Sequence, residues 1–357
     1  MQFNWMGVYF REFDGYGHSG LEMVNALLDL GVDVRPRAKQ PSIDPTLPEA
    51  MRTAVEKLVK REPVEAPVVV YYALPSLFYE LPDYQVGFTQ FETNRLPEYW
   101  IEDLERMDEV WVTCKELVDV FSKSGVTRPI YVTRLGVRGD RFTPARRKKT
   151  KPFRFVHTGM PEPRKGADLV LKAYRLAFGG YEDEVRLTMK GVGIPQDWMN
   201  RLPLGVDFIL SRYPTKLLVD LYHNSHCMVY PTRGEGWGMI PMEAMATGLP
   251  TILTSFLGTS EFAKYGIKVG HKLVEAEYYE HLMPCGEWAQ PDLRELADLM
   301  IDVYDNYEKY EDAAFTDSRE MVKEFSWENT AKQIRGHLER IEEVTHDKSS
   351  CADGACW

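Results

Sequence analysis

Short hydrophobic runs alternate along the chain with segments whose apolar residues recur every three or four positions. Residues 4–10 form an apolar run, residues 14–20 a glycine-rich turn, and residues 21–30 have helical spacing. Gly31 ends that helix before a second short run at 32–35. This succession predicts the opening strand, turn, helix and strand of a parallel α/β sheet.

The same alternation continues and then restarts after a basic stretch. In the first half, helical spacing at 99–107 and 115–124 separates four predicted buried strands, 67–72, 85–90, 109–113 and 130–134. The second set comprises strands at 153–159, 185–190, 206–210 and 227–231 and helices at 166–178 and 215–223. Two successive sets of alternating elements predict two doubly wound α/β domains.

A length of 357 residues suits two domains of ordinary size. We predict an N-terminal domain over residues 1–145 and a C-terminal domain over residues 146–325. A long amphipathic helix is predicted over residues 326–345. Residues 346–357 are rich in small and polar types, and we expect them to be a disordered tail.

Composition is that of a soluble protein, with 44% hydrophobic and 27% charged residues and no run of about 20 apolar residues that would span a membrane. Arg11, Glu12 and Asp14 interrupt the N-terminal segment where a signal peptide needs an apolar core. Five cysteines without a Cys-x-x-Cys pair favour reduced thiols. We therefore expect a cytoplasmic protein without stable membrane insertion.

A net charge of -11 disfavours nucleic acid as a partner, because phosphate backbones are repelled. One local run is basic although the whole chain is acidic; its members are Arg141, Arg146, Arg147, Lys148, Lys149 and Lys151. We interpret it as a solvated linker between the domains rather than a docking patch.

Two glutamates flank a predicted helix start within residues 230–250, which read Tyr-Pro-Thr-Arg-Gly-Glu-Gly-Trp-Gly-Met-Ile-Pro-Met-Glu-Ala-Met-Ala-Thr-Gly-Leu-Pro. Glu235 lies in a glycine-bearing loop after a buried strand, within reach of a sugar hydroxyl. Glu243 projects from the helix, where its carboxylate is suited to accept hydrogen bonds from a ribose diol. A bare pair at this spacing would be two solvated glutamates, so the surrounding residues decide the interpretation.

The residues between the two glutamates are suited to a diphosphate. The amides around Gly238, Met239 and Ile240, together with the helix dipole, attract an anion. Gly236 and Gly238 allow the backbone to approach a ligand closely. One segment is thus suited to all three parts of a nucleotide sugar.

This segment resembles the Glu-x7-Glu signature of family-4 retaining glycosyltransferases of the GT-B fold, also called glycosyl transferases group 1. The resemblance includes the Glu-Gly-x-Gly start and the Glu-Ala-x-Ala-x-Gly-x-Pro end. It implies two Rossmann-like domains facing each other across a cleft, with a final helix that crosses back to the N-terminal domain. It also implies that Glu235 contacts the donor sugar and Glu243 the nucleotide ribose.

Residues 155–166, Phe-Val-His-Thr-Gly-Met-Pro-Glu-Pro-Arg-Lys-Gly, resemble the first strand and loop of the donor domain in the same family. Lys165 matches the family lysine, whose charge stabilises the leaving diphosphate. The family arginine is replaced by Met160, so Arg164 either supplies the missing charge or is a surface residue. The chain contains no Asp-x-Asp metal clamp. We therefore predict catalysis without a metal or other cofactor.

In the first domain, residues 15–20, Gly-Tyr-Gly-His-Ser-Gly, resemble the flexible glycine loop that approaches the donor phosphates in this family. Gly15 and Gly17 are the donor-binding positions that carry over, and His18 either faces the cleft or is structural. Residues 88–97 align with the loop in which several relatives carry His-Glu-Pro. Here Phe91 stands at the histidine position, so only Glu92 carries over.

Other functions fit part of the sequence. Gly15, Gly17 and Gly20 satisfy Gly-x-Gly-x-x-Gly, which predicts an NAD(P)-dependent oxidoreductase, yet Asp33 precedes the position of the expected ribose-binding acid. That alternative leaves both glutamates and the lysine unexplained. A non-catalytic binding module remains a third interpretation. The sequence leaves open a UDP-, GDP- or ADP-linked donor and a saccharide, lipid, protein, small metabolite or modified nucleobase as acceptor.

Overall fold

A computed structural model describes residues 2–7, 15–36, 52–53, 55–56, 60–62, 68–193, 204–276 and 285–352. The first sheet contains six parallel strands: β1 (Gln2–Gly7), β2 (Asp33–Pro36), β3 (Val68–Tyr72), β4 (Tyr84–Phe88), β5 (Glu109–Val112) and β6 (Ile130–Val132). Their order is β2-β1-β3-β4-β5-β6. Predicted strand residues 8–10 and Pro67 lie outside the described part.

The second sheet also has six parallel strands: β7 (Phe153–Thr158), β8 (Val185–Lys190), β9 (Val206–Ile209), β10 (Cys227–Tyr230), β11 (Thr251–Thr254) and β12 (Ile267–Val269). Their order is β12-β11-β10-β7-β8-β9. From β7 the chain adds β8 and β9 on one side of the sheet, and it then adds β10, β11 and β12 on the other side. Loops that leave the carboxyl ends of two such strands diverge and open a crevice, where ligands bind in doubly wound sheets. An antiparallel hairpin, β13 (His271–Glu275) and β14 (Glu287–Pro291), follows.

Helices cover these sheets and explain why the strands are so apolar. They are α1 (Gly15–Asp29), α2 (Glu98–Glu105), α3 (Lys115–Ser124), α4 (Ala167–Phe178), α5 (Thr215–His223), α6 (Met239–Ala246), α7 (Leu293–Asp305), α8 (Tyr307–Glu324) and α9 (Trp327–Ala352). All five residues of β3 and all four of β10 are buried, as expected for parallel strands covered on both faces. None of the helices in the described ranges is both long and apolar enough to cross a membrane.

Helix α9 crosses back onto the first domain, as the resemblance implied. Arg340 donates two hydrogen bonds of 2.7 and 2.9 Å to the buried carboxylate of Glu109 on β5. A ring nitrogen of His337 lies 3.1 Å from the carbonyl oxygen of Val132 on β6. The two-domain GT-B architecture is therefore confirmed.

The predicted boundary at residue 345 is too early, because α9 continues to Ala352. Small and polar residues led us to expect disorder, but no proline or glycine occurs between Gly336 and Gly354 to break the helix. Residues 353–357 lie outside the described part of the chain.

The glycine-rich turn predicted at 14–20 is also corrected. Gly15–Gly20 form the first turns of α1, while Asp14 lies outside the described residues. A Cβ atom at Gly20 would lie 3.3 Å from the Tyr72 ring, and the Ser19 hydroxyl hydrogen-bonds that tyrosine's hydroxyl at 2.7 Å. The small residues thus allow the helix to pack closely on β3.

The solvated linker predicted at the basic run is wrong for two of its arginines, Arg141 and Arg147. Arg147 is buried and donates to the carbonyl and hydroxyl oxygens of Thr247, each at 3.0 Å. Arg146 pairs with Glu311 at 2.8 Å. Arg141 pairs at 2.7 Å with Glu22, whose side chain is fully buried on α1. These arginines hold the interdomain segment against both domains.

Candidate active site

The loops that follow β7 and β10 bring a lysine and a glutamate together. Lys165 ends a short 3-10 turn, Pro163–Lys165, and Glu235 lies five residues beyond β10. The Lys165 ammonium donates to both oxygens of the Glu235 carboxylate, at 2.7 and 2.8 Å. Both side chains are largely buried, with 15% and 8% of their surfaces exposed. A buried carboxylate requires such a partner, because burial without one is costly.

Three more groups stabilise the negative charge of Glu235. A guanidinium nitrogen of Arg164 lies 3.3 Å from the carboxylate. The hydroxyl groups of Tyr230 and Thr232 donate to it at 2.9 and 3.2 Å. Burial would raise the pKa of Glu235, but Lys165 and Arg164 outweigh it and lower the pKa to about 2. Glu235 is therefore an ionised hydrogen-bond acceptor at neutral pH.

Arg164 belongs to the site and is not a surface residue. Only 12% of its side chain is exposed, and it donates a 2.8 Å hydrogen bond to the carbonyl oxygen of Gly234. Its guanidinium also lies 3.9 Å from the carboxylate of Glu92 in the first domain. Met160, which stands where the family has an arginine, is 50% exposed. Arg164 thus places a second cation beside Lys165.

A cavity of about 400 Å³ lies between the two domains beside this ion pair. It is lined by nearly all of the residues that the sequence singled out, namely Gly15, His18, Glu92, Arg164, Lys165, Glu235, Gly236, Gly238, Met239, Ile240 and Glu243. Gly17 is the exception, since it is buried within α1 and does not line the cavity. Residues two apart on a helix face roughly opposite directions, so Gly15 and Gly17 do not share the cavity wall.

Glu243 occupies a different electrostatic environment from Glu235. Among the described residues, its one ion-pairing neighbour within 4 Å is His18, at 3.9 Å across the interdomain gap. Burial and the charge of Glu22 raise the pKa of Glu243 to about 8, against the opposing effects of Arg141 and Lys190. Burial lowers the pKa of His18, so its imidazole is neutral at pH 7. Of the two expectations for His18, the structure supports the one in which it faces the cavity, because His18 lines it.

The helix start between the two glutamates needs glycine for two reasons. Gly238 caps α6 with φ at 99°, in the left-handed region that favours glycine. A Cβ atom at Gly236 would lie 2.7 Å from the Gln90 side chain, so the close approach there is to the first domain. The amides of Met239 and Ile240 open the helix and have no acceptor within it.

The glycine pattern of the first domain does not form a dinucleotide site in this fold. Asp33 begins β2, whereas a ribose-binding acid belongs at the carboxyl end of that strand. Its carboxylate already accepts hydrogen bonds from Arg35 at 2.9 Å and Arg61 at 3.0 Å. The oxidoreductase interpretation therefore lacks its acid.

Several lining residues were missed by the sequence analysis, including Gln90, Lys190, Tyr213, Thr215, Leu218 and Trp237. Lys190 had a usable signal, because it is the last residue of a strand whose carboxyl end points to the ligand edge. Trp237 lies inside the recognised segment, and its indole nitrogen is buried without a hydrogen-bond partner. Nowhere in the described ranges do three or more His, Cys, Asp or Glu side chains form a group that could hold a metal.

Comparison with known families matches the half of the molecule that carries both glutamates. Residues 140–314 fit the family model described as Glycosyl transferases group 1. This part of the chain is a glycosyl transferases group 1 domain. The match includes Lys165, Glu235 and Glu243, so it covers the ion pair and the second glutamate of the cavity.

Curated relatives of this glycosyl transferases group 1 domain include two bacterial enzymes. The glycogen synthase of Mycobacterium tuberculosis is 28% identical over 173 residues, which cover 44% of this chain and 40% of that protein. The O-antigen chain mannosyltransferase B of Escherichia coli is 27% identical over 120 residues, covering 30% of this chain and 29% of that protein. The chain thus matches less than half the length of either relative.

Solved structures show the same fold over almost the whole chain. Sucrose-phosphate synthase from Thermosynechococcus elongatus superposes with a TM-score of 0.67 at 17% identity, covering 97% of this chain and 100% of that one. Anabaena HepE, solved in complex with UDP-glucose, gives 0.68 at 14% identity and covers 95% and 100%. The relatives and structures named here do not include an oxidoreductase, so they give no support to that alternative.

Proposed function

We propose that this protein is a retaining glycosyltransferase that moves a sugar from a nucleotide-diphosphate sugar to an acceptor hydroxyl without a metal ion. The observation that carries the proposal is one interdomain cavity that is lined by the Lys165–Glu235 ion pair, by the start of α6 and by Glu243. UDP-glucose in the complex of Anabaena HepE supports a nucleotide sugar as the ligand class.

The donor is assigned to the cavity part by part. Glu235, ionised at neutral pH, accepts hydrogen bonds from hydroxyl groups of the donor sugar. The diphosphate lies at the start of α6, where the amides of Met239 and Ile240 and the helix dipole attract an anion. Glu243 binds the ribose hydroxyls. This order follows the covalent order of a nucleotide sugar.

Charge development during the reaction explains the two cations. As the bond between the anomeric carbon and the diphosphate oxygen breaks, negative charge grows on the leaving diphosphate. Lys165 and Arg164 lie beside this position and stabilise that charge more in the transition state than in the ground state. They take the role that a divalent metal plays in other phosphate chemistry.

Retention follows if the acceptor attacks from the face that the diphosphate leaves. The acceptor oxygen bonds to the anomeric carbon, the diphosphate departs with the bonding electrons, and a diphosphate oxygen takes the acceptor proton. No protein nucleophile is required. Glu235 is too acidic to act as the proton donor, because its pKa is about 2.

The test is a donor assay on the whole chain with UDP-, GDP- and ADP-glucose and a panel of saccharide, lipid and small-molecule acceptors. We expect release of one nucleoside diphosphate, an anomeric configuration in the product identical to that of the donor by NMR, and full activity in excess chelator. The same assay on fractionated cells tests the proposed cytoplasmic location.

Three results would contradict separate parts of the proposal. Failure to bind or consume any nucleotide sugar would remove the transferase function. Inversion at the anomeric carbon would remove the retaining mechanism. Loss of activity in chelator, restored by adding back a divalent ion, would remove metal independence.

A further inference from the structure

A third cation, Lys190, lines the same cavity. Lys190 is the last residue of β8, and it pairs in register with Thr158 of β7 and Ile209 of β9. Its charge acts on Glu243, whose pKa it lowers. The charges that act on Glu235 come instead from Lys165 and Arg164. Lys190 therefore acts on Glu243, and it is not among the groups that set the charge of Glu235.

The ammonium group of Lys190 has no carboxylate within 4 Å in the part of the chain that the structure describes. Its recorded neighbour is the Tyr213 ring, whose centroid lies 5.5 Å from the ammonium nitrogen. Burial disfavours its charged form. A partly buried cation without an anionic partner is satisfied when a ligand supplies an acceptor oxygen.

The covalent order of the donor decides which part of the ligand meets Lys190. Sugar, diphosphate and ribose are assigned to Glu235, the start of α6 and Glu243, so the nucleobase lies beyond Glu243. Lys190 lies beside the Tyr213 ring, and Thr215 and Leu218, which follow Tyr213 in the chain, also line the cavity. An aromatic ring and a leucine offer an apolar surface for a base, and Lys190 offers hydrogen-bond donors.

Lysine donates hydrogen bonds and accepts none, so it distinguishes bases by their exocyclic groups. Uracil and guanine present a carbonyl oxygen at the edge where adenine presents an amino group. The amino group of adenine is a hydrogen-bond donor, as the ammonium group is, so the two groups would not hydrogen-bond to each other. Lys190 would then have no acceptor on the base. We infer that Lys190, beside Tyr213, selects a donor whose base carries a carbonyl oxygen, uracil or guanine, against adenine. This inference rests on the proposed function.

The experiment measures binding of UDP, GDP and ADP by titration calorimetry to the whole chain and to Lys190→Met, which keeps the length of the side chain and removes its donors. The wild-type protein should bind UDP or GDP at least about 10-fold more tightly than ADP, the effect of one charge-assisted hydrogen bond. Lys190→Met should lose that preference, with ADP affinity unchanged within about 2-fold. The UDP and GDP arms distinguish the two bases.

Two further variants serve as controls for base selection by Lys190. Lys190→Arg retains a donor and should keep part of the preference. Lys216→Met removes an exposed lysine next to Thr215 that does not line the cavity, and it should leave all three affinities unchanged. Thermal melting of each variant checks that it is folded.

The outcomes separate this inference from the function on which it rests. Equal wild-type affinity for UDP, GDP and ADP, or an equal loss of all three in Lys190→Met, overturns base selection by Lys190 and leaves the transferase proposal standing. An equal loss would mean that the ammonium contacts the diphosphate instead. Binding of none of the three nucleotides by the wild-type protein overturns both.

Discussion

Glu235 and Glu243 are the same residue type, eight positions apart, and both are buried at the wall of one cavity. Their ionisation is nevertheless opposite, since the pKa of Glu235 is lowered to about 2 and that of Glu243 is raised to about 8. Burial raises the pKa at both positions. The difference comes from partners: Glu235 has Lys165 at 2.7 Å, whereas Glu243 has a neutral histidine at 3.9 Å.

Glu235 is therefore organised for the reaction before a ligand binds, whereas the ionised form of Glu243 is not stabilised until its ligand binds. At the Glu235 end the charges are paired before any donor is bound, so little rearrangement is needed when the leaving group develops charge. At the Glu243 end the carboxyl is mostly protonated at pH 7, and hydrogen bonds from a ribose diol would stabilise its ionised form. The four predictions below test this contrast, in order of decreasing effect.

Removing Lys165, the cation that pairs with Glu235, should have the largest effect. Lys165→Ala should lower turnover by about 100-fold, the usual loss when one contact to developing charge is removed. Steady-state rates with the best nucleotide sugar measure it. Lys332→Ala, an exposed lysine on α9, is the matched control and should keep its full rate. A near-normal rate in Lys165→Ala would take this residue out of the mechanism.

Removing the carboxylate of the same pair should change stability with a defined pH dependence. The pKa of Glu235 is lower in the folded state, so its contribution is present above about pH 4.5 and is lost as pH falls from 4.5 towards 2. Glu235→Gln should therefore lower the free energy of unfolding by about 2 kcal/mol at pH 7, since Lys165 loses its buried partner.

Urea unfolding of this variant and the wild type at pH 7 and pH 3 measures the difference, which should shrink at the lower pH. Glu343→Gln, an exposed change on α9, should unfold like the wild type at both values. If the difference in unfolding free energy between the wild type and Glu235→Gln stays constant from pH 7 to pH 3, the ion pair is not the cause of that difference.

Ionisation of Glu243 should control nucleotide affinity. If the carboxylate form binds ribose, a pKa of about 8 means that the binding form increases about tenfold between pH 7 and pH 9. The phosphates, with a second pKa near 6, are already ionised over this interval. UDP affinity by calorimetry should therefore rise by about 10-fold. The rise should vanish in Glu243→Gln, and its persistence there would assign the titration to another group.

His18 should have the smallest effect. Its imidazole is neutral at pH 7 and lies 3.9 Å from the Glu243 carboxyl, beyond hydrogen-bond distance. His18→Gln should change nucleotide affinity by less than about 3-fold in the same calorimetric assay, because no strong contact is lost. A loss of affinity above about 10-fold would mean that His18 contacts the donor directly.

Much of the fold could be predicted because its signals are local. The bounds of α3, α5 and β8 match the structure residue for residue, since apolar spacing and flanking turn residues mark them. Helices α7 and α8 and the β13–β14 hairpin were not predicted. The hairpin has an exposed first strand, so hydrophobic alternation gives little signal there.

By itself the sequence determined the alternation of strands and helices in two successive sets, the segment that carries both glutamates and, through the family resemblance, the candidate lysine. These features depend on short-range spacing around a strand end and a helix start. Only the tertiary structure decided how each group is charged and what it faces. Glu235 is paired by a residue 70 positions away, Glu243 is influenced by Glu22 from the other domain, and Lys190 entered the cavity through sheet packing. Electrostatic energies depend on distance in space and on burial, and neither is fixed until the two sheets are assembled.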